Sequence, residues 1–410
     1  MLELDNPQVD VTDVHGMNAA TPAIVVVAFN RPVALGALLE TLRAAAIPDG
    51  VTLVISVEGG APSSVIEMAS TFDWPHGPKR VILQLRRLGL REHILRSGDL
   101  SEEYGAVIVL EDDLILSPHF YGYASQALSA FSATPVVGGV ALYSYMLNEF
   151  SNLDFEPLND GGDVYFLQIA CSWGQAWTWE QWRLFRAWYE TAKDLPFDSG
   201  RPLPRQLMAW KPTSWKKYFI KYLVETDRYF AYPRYALTSN TARPGTHTKR
   251  PVSIYQSPLE MRSRRWRFTD PSTSVAVYDA FYELTPQALN RLEPSFPATG
   301  LDVDIWGDKP IAARSGTFIL AAGGSAKGAR RFGGAGAPIE AIVANGEPGS
   351  LVSLGPKGAR QRRSLWDRYR LIRATSPANA RSKLMFSVLK PIQTEMKILS
   401  SQWRESRSRR

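Results

Sequence analysis

Ala106-Val107-Ile108-Val109-Leu110, followed without a break by Glu111-Asp112-Asp113, is the stretch from which the rest of the chain can be read. The five apolar residues, three of them β-branched, predict a buried strand. That strand delivers three consecutive carboxylates into a loop, where like charges raise one another's proton affinity unless a cation sits among them. Toward the N-terminus, Ala23 to Ala28 is a second β-branched run ending at Phe29-Asn30-Arg31-Pro32. Helical spacing of Leu35, Leu38, Leu39 and Leu42 follows within Val33 to Ala46. Val51 to Val57 predicts another strand, with Glu58-Gly59-Gly60 as its turn and a helix from Ser63 to Phe72 begun by Pro62. Val81 to Leu85 predicts a strand and Leu90 to Ser97 a helix, and beyond the acidic loop Pro118 opens a helix reaching Phe131. Strands alternating with helices imply an α/β fold, a doubly wound and mostly parallel sheet with flanking helices. Ligands of such sheets bind outside the carboxyl ends of the strands, where Asn30-Arg31, Glu58-Gly59, Arg86-Arg87 and Glu111 to Asp113 all fall.

The remainder divides by composition. Residues 1–21 form an N-terminal extension and 22–295 a catalytic-type domain, split into a ligand-binding half, 22–135, and a second half, 136–295. In the second half, Val140 to Tyr255 is aromatic and irregular, with tryptophans at 173, 177, 179, 182, 188, 210 and 215 among loops and short helices. Gly-rich text from Gly316 to Ser353 predicts a small β-rich appendage over 296–360, with Thr317 to Ala321 and Ala341 to Val343 as strand-like pieces. Residues 361–410 form a basic helical tail. Within it, Ser364 to Ser401 mixes cations with Leu371, Leu384, Met385, Phe386, Val388, Leu389 and Ile398, and Pro391 is expected to interrupt the helix.

With 410 residues, 45% apolar and 11% aromatic, the chain can bury a large core. Asp5, Asp10 and Asp13 stand where a signal peptide would carry its basic and apolar regions. No run approaches the roughly 20 apolar residues needed to cross a bilayer. The single cysteine, Cys171, rules out an internal disulfide and a cysteine-based zinc site, and fits a reducing, cytoplasmic address. Leu351 to Arg410 holds 15 Lys/Arg against 3 Asp/Glu, net +12, so the first 350 residues carry −5 of the overall +7. Positive charge outside the predicted site argues against nucleic acid as a partner. It points instead to an anionic membrane surface touched peripherally on its inner face, or to a helix packed on the main domain with a solvated Arg-rich end.

Oxygen-rich loops at strand ends suit Mg2+ or Mn2+, which take one or two protein carboxylates and complete their shell with phosphate and water. Asp113 is the expected direct ligand, with Asp112 toward ribose or sugar and Glu111 acting through water or on the loop. His247, in Arg243-Pro-Gly-Thr-His247, is a second metal or diphosphate contact. The bland alternatives are a helix cap for the acidic triplet and a surface role for the histidine.

Three segments in this order resemble the nucleotide-sugar half of GT-A (Rossmann-like) glycosyltransferases: Val26 to Pro32, Arg87 to Leu90, and Val109 to Leu114 with Ser117-Pro-His-Phe120. The resemblance is to N-acetylglucosaminyltransferase I and to bacterial family 2-like sugar transferases, and covers roughly residues 22 to 250. The bacterial relatives also carry segments similar to Ser172-Trp-Gly-Gln-Ala-Trp-Thr-Trp179 and Gly245-Thr-His247. The resemblance implies a metal-assisted transfer from a nucleotide-sugar, UDP before other nucleotides, to a glycan or lipid-linked acceptor in surface polysaccharide or glycoconjugate synthesis. It implies Asn30, Arg31 and Arg87 near the nucleotide, Glu58 in place of the family's Asp at the base-binding strand end, and Trp173, Gly174 and Trp177 toward sugar or acceptor. The family's base, an Asp after a tryptophan, does not carry over, because Trp215 is followed by Lys216-Lys217. An inverting transfer needs a carboxylate at the acceptor hydroxyl, and Glu180, with Asp227 as alternate, is the candidate. The rival readings are a nucleotidyltransferase, which ordinarily shows a Gly-rich phosphate loop absent after the first strand here, and a non-catalytic sugar- or nucleotide-binding protein recruited to membranes.

Overall fold

In the computed structural model, residues 21–242, 253–310, 315–323, 329–334, 336, 338–357 and 364–408 are described. The first half follows the predicted alternation closely: β1 (Ala23–Ala28), α1 (Pro32–Arg43), β2 (Leu53–Val57), α2 (Ser63–Thr71), β3 (Lys79–Leu83), α3 (Leu90–Asp99), a single turn α4 (Ser101–Tyr104) and β4 (Ala106–Glu111). Helix α1 buries Leu35, Leu38, Leu39 and Leu42 along one stripe, each removal from water being worth about 1.5–3 kcal/mol. Strands β1 to β4 are mutually parallel in the order β3-β2-β1-β4, with Val26 in register with Ile55 on one side and Leu110 on the other. The four predicted strand ends therefore open on one edge. A short β5 (Leu114–Leu116) and α5 (Phe120–Ala130) follow.

The second half, read from sequence as irregular, extends the same sheet. It supplies β6 (Val137–Ala141), β7 (Val164–Leu167), β8 (Gln175–Thr178), α6 (Trp179–Ala192), α7 (Trp215–Glu225), β9 (Tyr229–Pro233), β10 (Thr238–Asn240) and β11 (Val277–Tyr278). Nine strands result, in the order β11-β7-β9-β6-β8-β4-β1-β2-β3. β8 runs antiparallel between β4 and β6, β9 is parallel to β6, and β7 is antiparallel to β9. The architecture is thus α/β with a mostly parallel central sheet flanked by helices. Strand β10 pairs antiparallel with β5 in a separate ribbon just beyond the acidic loop.

After α8 (Pro286–Leu292) a second sheet of four strands forms, β12 (Leu301–Asp304), β13 (Phe318–Ala322), β14 (Arg330–Phe332) and β15 (Val352–Pro356), in the order β12-β13-β15-β14. One expectation fails here: Ala341 to Val343 lies in a helix, α9 (Ile339–Ala344), not a strand. Its buried residues Ile339, Ile342 and Val343 stand at i, i+3 and i+4, a helical pattern hidden by the β-branched composition. The chain closes with α10 (Leu365–Thr375) and α11 (Ala380–Ser408). Pro391 does not interrupt α11 as expected but lies inside it, leaving one ladder donor missing in a helix fastened at many other points.

Glu340, in the first turn of α9, is buried, and desolvation pushes its carboxyl up to about 7. The unfolded chain releases this proton near pH 4.5 and the folded chain only near 7, so stability falls as pH rises between those values. Glu340→Gln is expected to leave stability unchanged at pH 4 and to raise it by about 2–3 kcal/mol at pH 8. Urea unfolding at both pH values measures the difference.

Candidate active site

Arg31, in the turn between β1 and α1, binds both aspartates of the loop after β4. One guanidinium nitrogen pairs with Asp112 and the other donates to Asp113 at 2.6 Å. The remaining oxygen of Asp112 accepts from the Phe29 amide at 3.4 Å. Parallel pairing of β1 with β4 makes this contact possible, because it sets Val27 beside Glu111 and so brings the turns after both strands to the same edge. Asp112 is almost fully buried, and burial raises its carboxyl above the ordinary value while Arg31 pulls it down. Glu111 is half-buried, with its Oε1 enclosed and lacking any hydrogen-bond partner among the described residues, and its carboxyl is pushed up to about 8, first by desolvation and then by Asp113. Two aspartate carboxylates thus share one arginine, an unbalanced negative charge, with the Glu111 carboxyl behind them. Among the described residues Asp113 engages one carboxylate oxygen, on Arg31, and its main-chain carbonyl accepts from Thr241 at 2.9 Å, at the end of β10. Among the described residues, no group of three or more His, Cys, Asp or Glu is gathered as a ready metal cage. His247 lies outside the described residues.

Glu58, which the resemblance implied at the base-binding strand end, lies at the end of β2 with its carboxylate turned to backbone amides. It is buried, and its carboxylate accepts from the amides of Gly59 at 3.0 Å, Leu88 at 2.7 Å and Gly89 at 2.8 Å. The longer side chain folds onto the neighbouring loop and fixes it. Gly59 is required there, since a Cβ would lie 2.2 Å from the Arg86 carbonyl carbon. Beneath this turn, His93 meets Ser56 at 2.7 Å, and burial holds its imidazole below the ordinary value. Asn30 is exposed at the edge, and Arg87 lies over the Phe29 ring at 4.8 Å, its charge toward the mouth of β1.

Both predicted bases lie at the wrong end of the sheet. Antiparallel pairing sets Thr178 opposite Ala106, the start of β4, so Glu180 is about five residues, roughly 17 Å, from the acidic loop. It is exposed and paired with Arg183 at 2.8 Å, after a capping box made by Thr178 and Gln181. Asp227 precedes β9, which runs in the direction of β4, and so falls at that same far end, exposed and paired with Arg201. The sequence offered no means of seeing that β8 reverses direction. Trp177 is likewise no sugar platform: it is wholly buried, 4.7 Å from the Trp182 ring and stacked at 5.7 Å on Phe219.

Trp173 and Gly174 do lie near the site, at the entrance to β8. Gly174 has φ +92, and a Cβ would fall 2.9 Å from the Thr238 side chain. Trp173 is half-buried against Tyr143 at 4.7 Å, Tyr255 at 5.3 Å and Tyr145 at 6.1 Å. At its ring stands a pair that sequence reasoning missed. Lys216, at the first turn of α7, donates to Glu149 at 2.7 Å and to the Tyr145 hydroxyl at 3.0 Å, with Nζ 5.5 Å from the Trp173 ring centroid. Both members are buried, and Glu149 Oε1 has no hydrogen-bond partner. Lys216 also acts electrostatically on Glu111, favouring its charged form. Glu149 is a lone acid in a loop, indistinguishable by pattern from surface acids.

No family model matches the chain, and no curated protein does. Among solved structures the chain is similar to a mannosyltransferase of Pyrobaculum calidifontis in complex with GDP-mannose and Mn2+. That match has 15% identity and a TM-score of 0.28, over 39% of this chain and 45% of that one. It is also similar to residues 1–349 of S. aureus TarS in complex with UDP-GlcNAc, at 10% identity and a TM-score of 0.37, over 55% and 60%. The same portion of TarS without that ligand matches at 8% identity and 0.35, over 54% and 60%. The chain thus spans about half the length of the solved structures it matches.

Proposed function

We propose that this protein is a glycosyltransferase, moving a sugar from a nucleotide-sugar, UDP-linked in the first instance, to a hydroxyl of a glycan or lipid-linked acceptor. The observation that carries the reading is the acidic loop at the carboxyl edge of the parallel strands β1 to β4, where Arg31 neutralises only part of the charge of Asp112 and Asp113 and an oxygen of Glu111 is left without a partner among the described residues. The orphaned Glu111 oxygen and the open oxygen of Asp113 fit a divalent cation, Mn2+ or Mg2+, held by Asp113 with Glu111 behind it. When bound, such a cation supplies Lewis-acid stabilisation of charge on the departing diphosphate. Asn30, Arg31 and Arg87 border the nucleotide side, and the half-buried Trp173 and Tyr255 offer the apolar ring faces against which sugar C–H groups rest.

With Glu180 and Asp227 at the far edge, we assign the base to Glu149. Its unpartnered oxygen takes the acceptor proton as the acceptor oxygen bonds to the anomeric carbon. The sugar–phosphate bond breaks with its electron pair leaving on the nucleoside diphosphate. Lys216, where the family places its base, holds Glu149 in orientation through its hydrogen bond at 2.7 Å. A binding protein without turnover is the second reading, favoured by that same lysine. Slow metal-dependent release of UDP from a UDP-sugar separates the two.

Calorimetric titration of UDP and of GDP, with and without Mn2+, tests the donor site. The expected result is metal-dependent UDP binding that weakens about 100-fold or more in Asp113→Ala, the scale of losing several kcal/mol of charge stabilisation. Binding of neither nucleotide in the presence of metal overturns the assignment.

A further inference from the structure

Helix α11 has two unlike faces. One is fastened to the main domain: Ala380, Ser387, Thr394 and Ile398 are buried, and Lys390 donates to the Glu149 carbonyl at 2.5 Å and to Asn152 at 2.7 Å. Glu395 receives both guanidinium donors of Arg205, at 2.7 and 3.1 Å, and Lys383 pairs with Asp154. The other face carries Met385, Leu389, Ile392, Met396 and Leu399, repeating at intervals of four and three, each between 41% and 65% exposed. At about 100° per residue they fill an arc of roughly 80°, nearly opposite the buried stripe. Leu365 and Trp366, opening the adjoining α10, are 63% exposed.

No helix among the described residues is long and apolar enough to cross a membrane. Residues 364–410 hold 11 Lys/Arg against 3 Asp/Glu. A second copy of the chain laid on this stripe would bring two strongly positive segments together, whereas a negatively charged surface is drawn to each cation near it by about 1 kcal/mol. We infer that the exposed face of α11 is a docking surface for anionic lipid, with the helix lying in the interface plane and its apolar stripe among the acyl chains. This surface stands independently of the transferase reading, because binding a vesicle needs no nucleotide.

The test is cosedimentation of the full chain with phosphatidylcholine vesicles and with vesicles that also contain phosphatidylglycerol. Binding is expected only with the anionic vesicles, weakening as salt rises. The double variant Leu389→Glu, Met396→Glu is expected to reduce it by about tenfold or more, and Leu195→Glu, on a different exposed surface, to leave it unchanged. Both substituted positions are solvent-exposed, and circular dichroism confirms that the variants fold. Equal binding to neutral vesicles, no binding to anionic ones, or an unaffected double variant overturns the proposal. So does a dimer in sedimentation velocity that the double variant converts to monomer, which would assign the face to a second copy.

Discussion

Glu149→Gln is expected to lower turnover by a factor of about 10²–10⁴ while leaving UDP affinity within about twofold of the parent, the range by which a positioned base accelerates proton transfer. Glutamine keeps the acceptor of the Lys216 hydrogen bond and removes the charge that takes the proton. Kinetics with saturating donor, alongside calorimetry of UDP, separate the roles. A base gives a fall in kcat with donor binding preserved. A merely structural Glu149 leaves Lys216 as an uncompensated buried cation and lowers the melting temperature and the donor affinity together. A Glu149→Gln protein with parent turnover removes the assignment outright.

Lys309→Ala is expected to cost about 3–5 kcal/mol of stability, the scale set by breaking a buried ion pair from one side. Lys309 is enclosed beside the four-stranded sheet, and its ammonium pairs with Asp279 and lies 3.3 Å from Glu283, both just after β11 of the main sheet. Glu283 also accepts from the Trp306 amide at 2.9 Å. Burial pushes the Glu283 carboxyl well above its ordinary value even with the lysine present, so removing the cation leaves two acids without a counterion. Asp279→Asn combined with Lys309→Met removes charge from both sides and is expected to recover most of the loss. Urea unfolding of the three proteins measures this, and a Lys309→Ala cost below about 1 kcal/mol would mean that water or another cation replaces the lysine.

Much of the first half was legible because strands β1, β2 and β4 are buried on both faces and read as unbroken apolar runs. Ala23–Ala28 matches its predicted limits, and the acidic loop lies at the edge that the alternation implied. The second half was not legible as sheet. Val164–Leu167 and Tyr229–Pro233 are aromatic four- and five-residue strands whose partners lie far away in sequence, and their directions, not their existence, decide which end of the molecule a residue occupies. Glu180 and Asp227 were misplaced for that reason alone. Glu58 was misread because the chain spacing places it at a ligand edge, while only the fold shows three backbone amides already filling its carboxylate. Glu149 and Lys216 became visible only when loops 67 residues apart met in a dry environment.

The bond from Lys390 to the Glu149 carbonyl spans 241 positions of the chain and ties the last helix to the loop that carries the assigned base. Docking of that helix and order in that loop therefore share one equilibrium: whatever holds α11 against the domain also narrows the range of positions Glu149 can sample. How firmly the last helix sits on the domain and how well the Glu149 loop is ordered are in this sense the same thermodynamic variable, read at two distant points of one polypeptide.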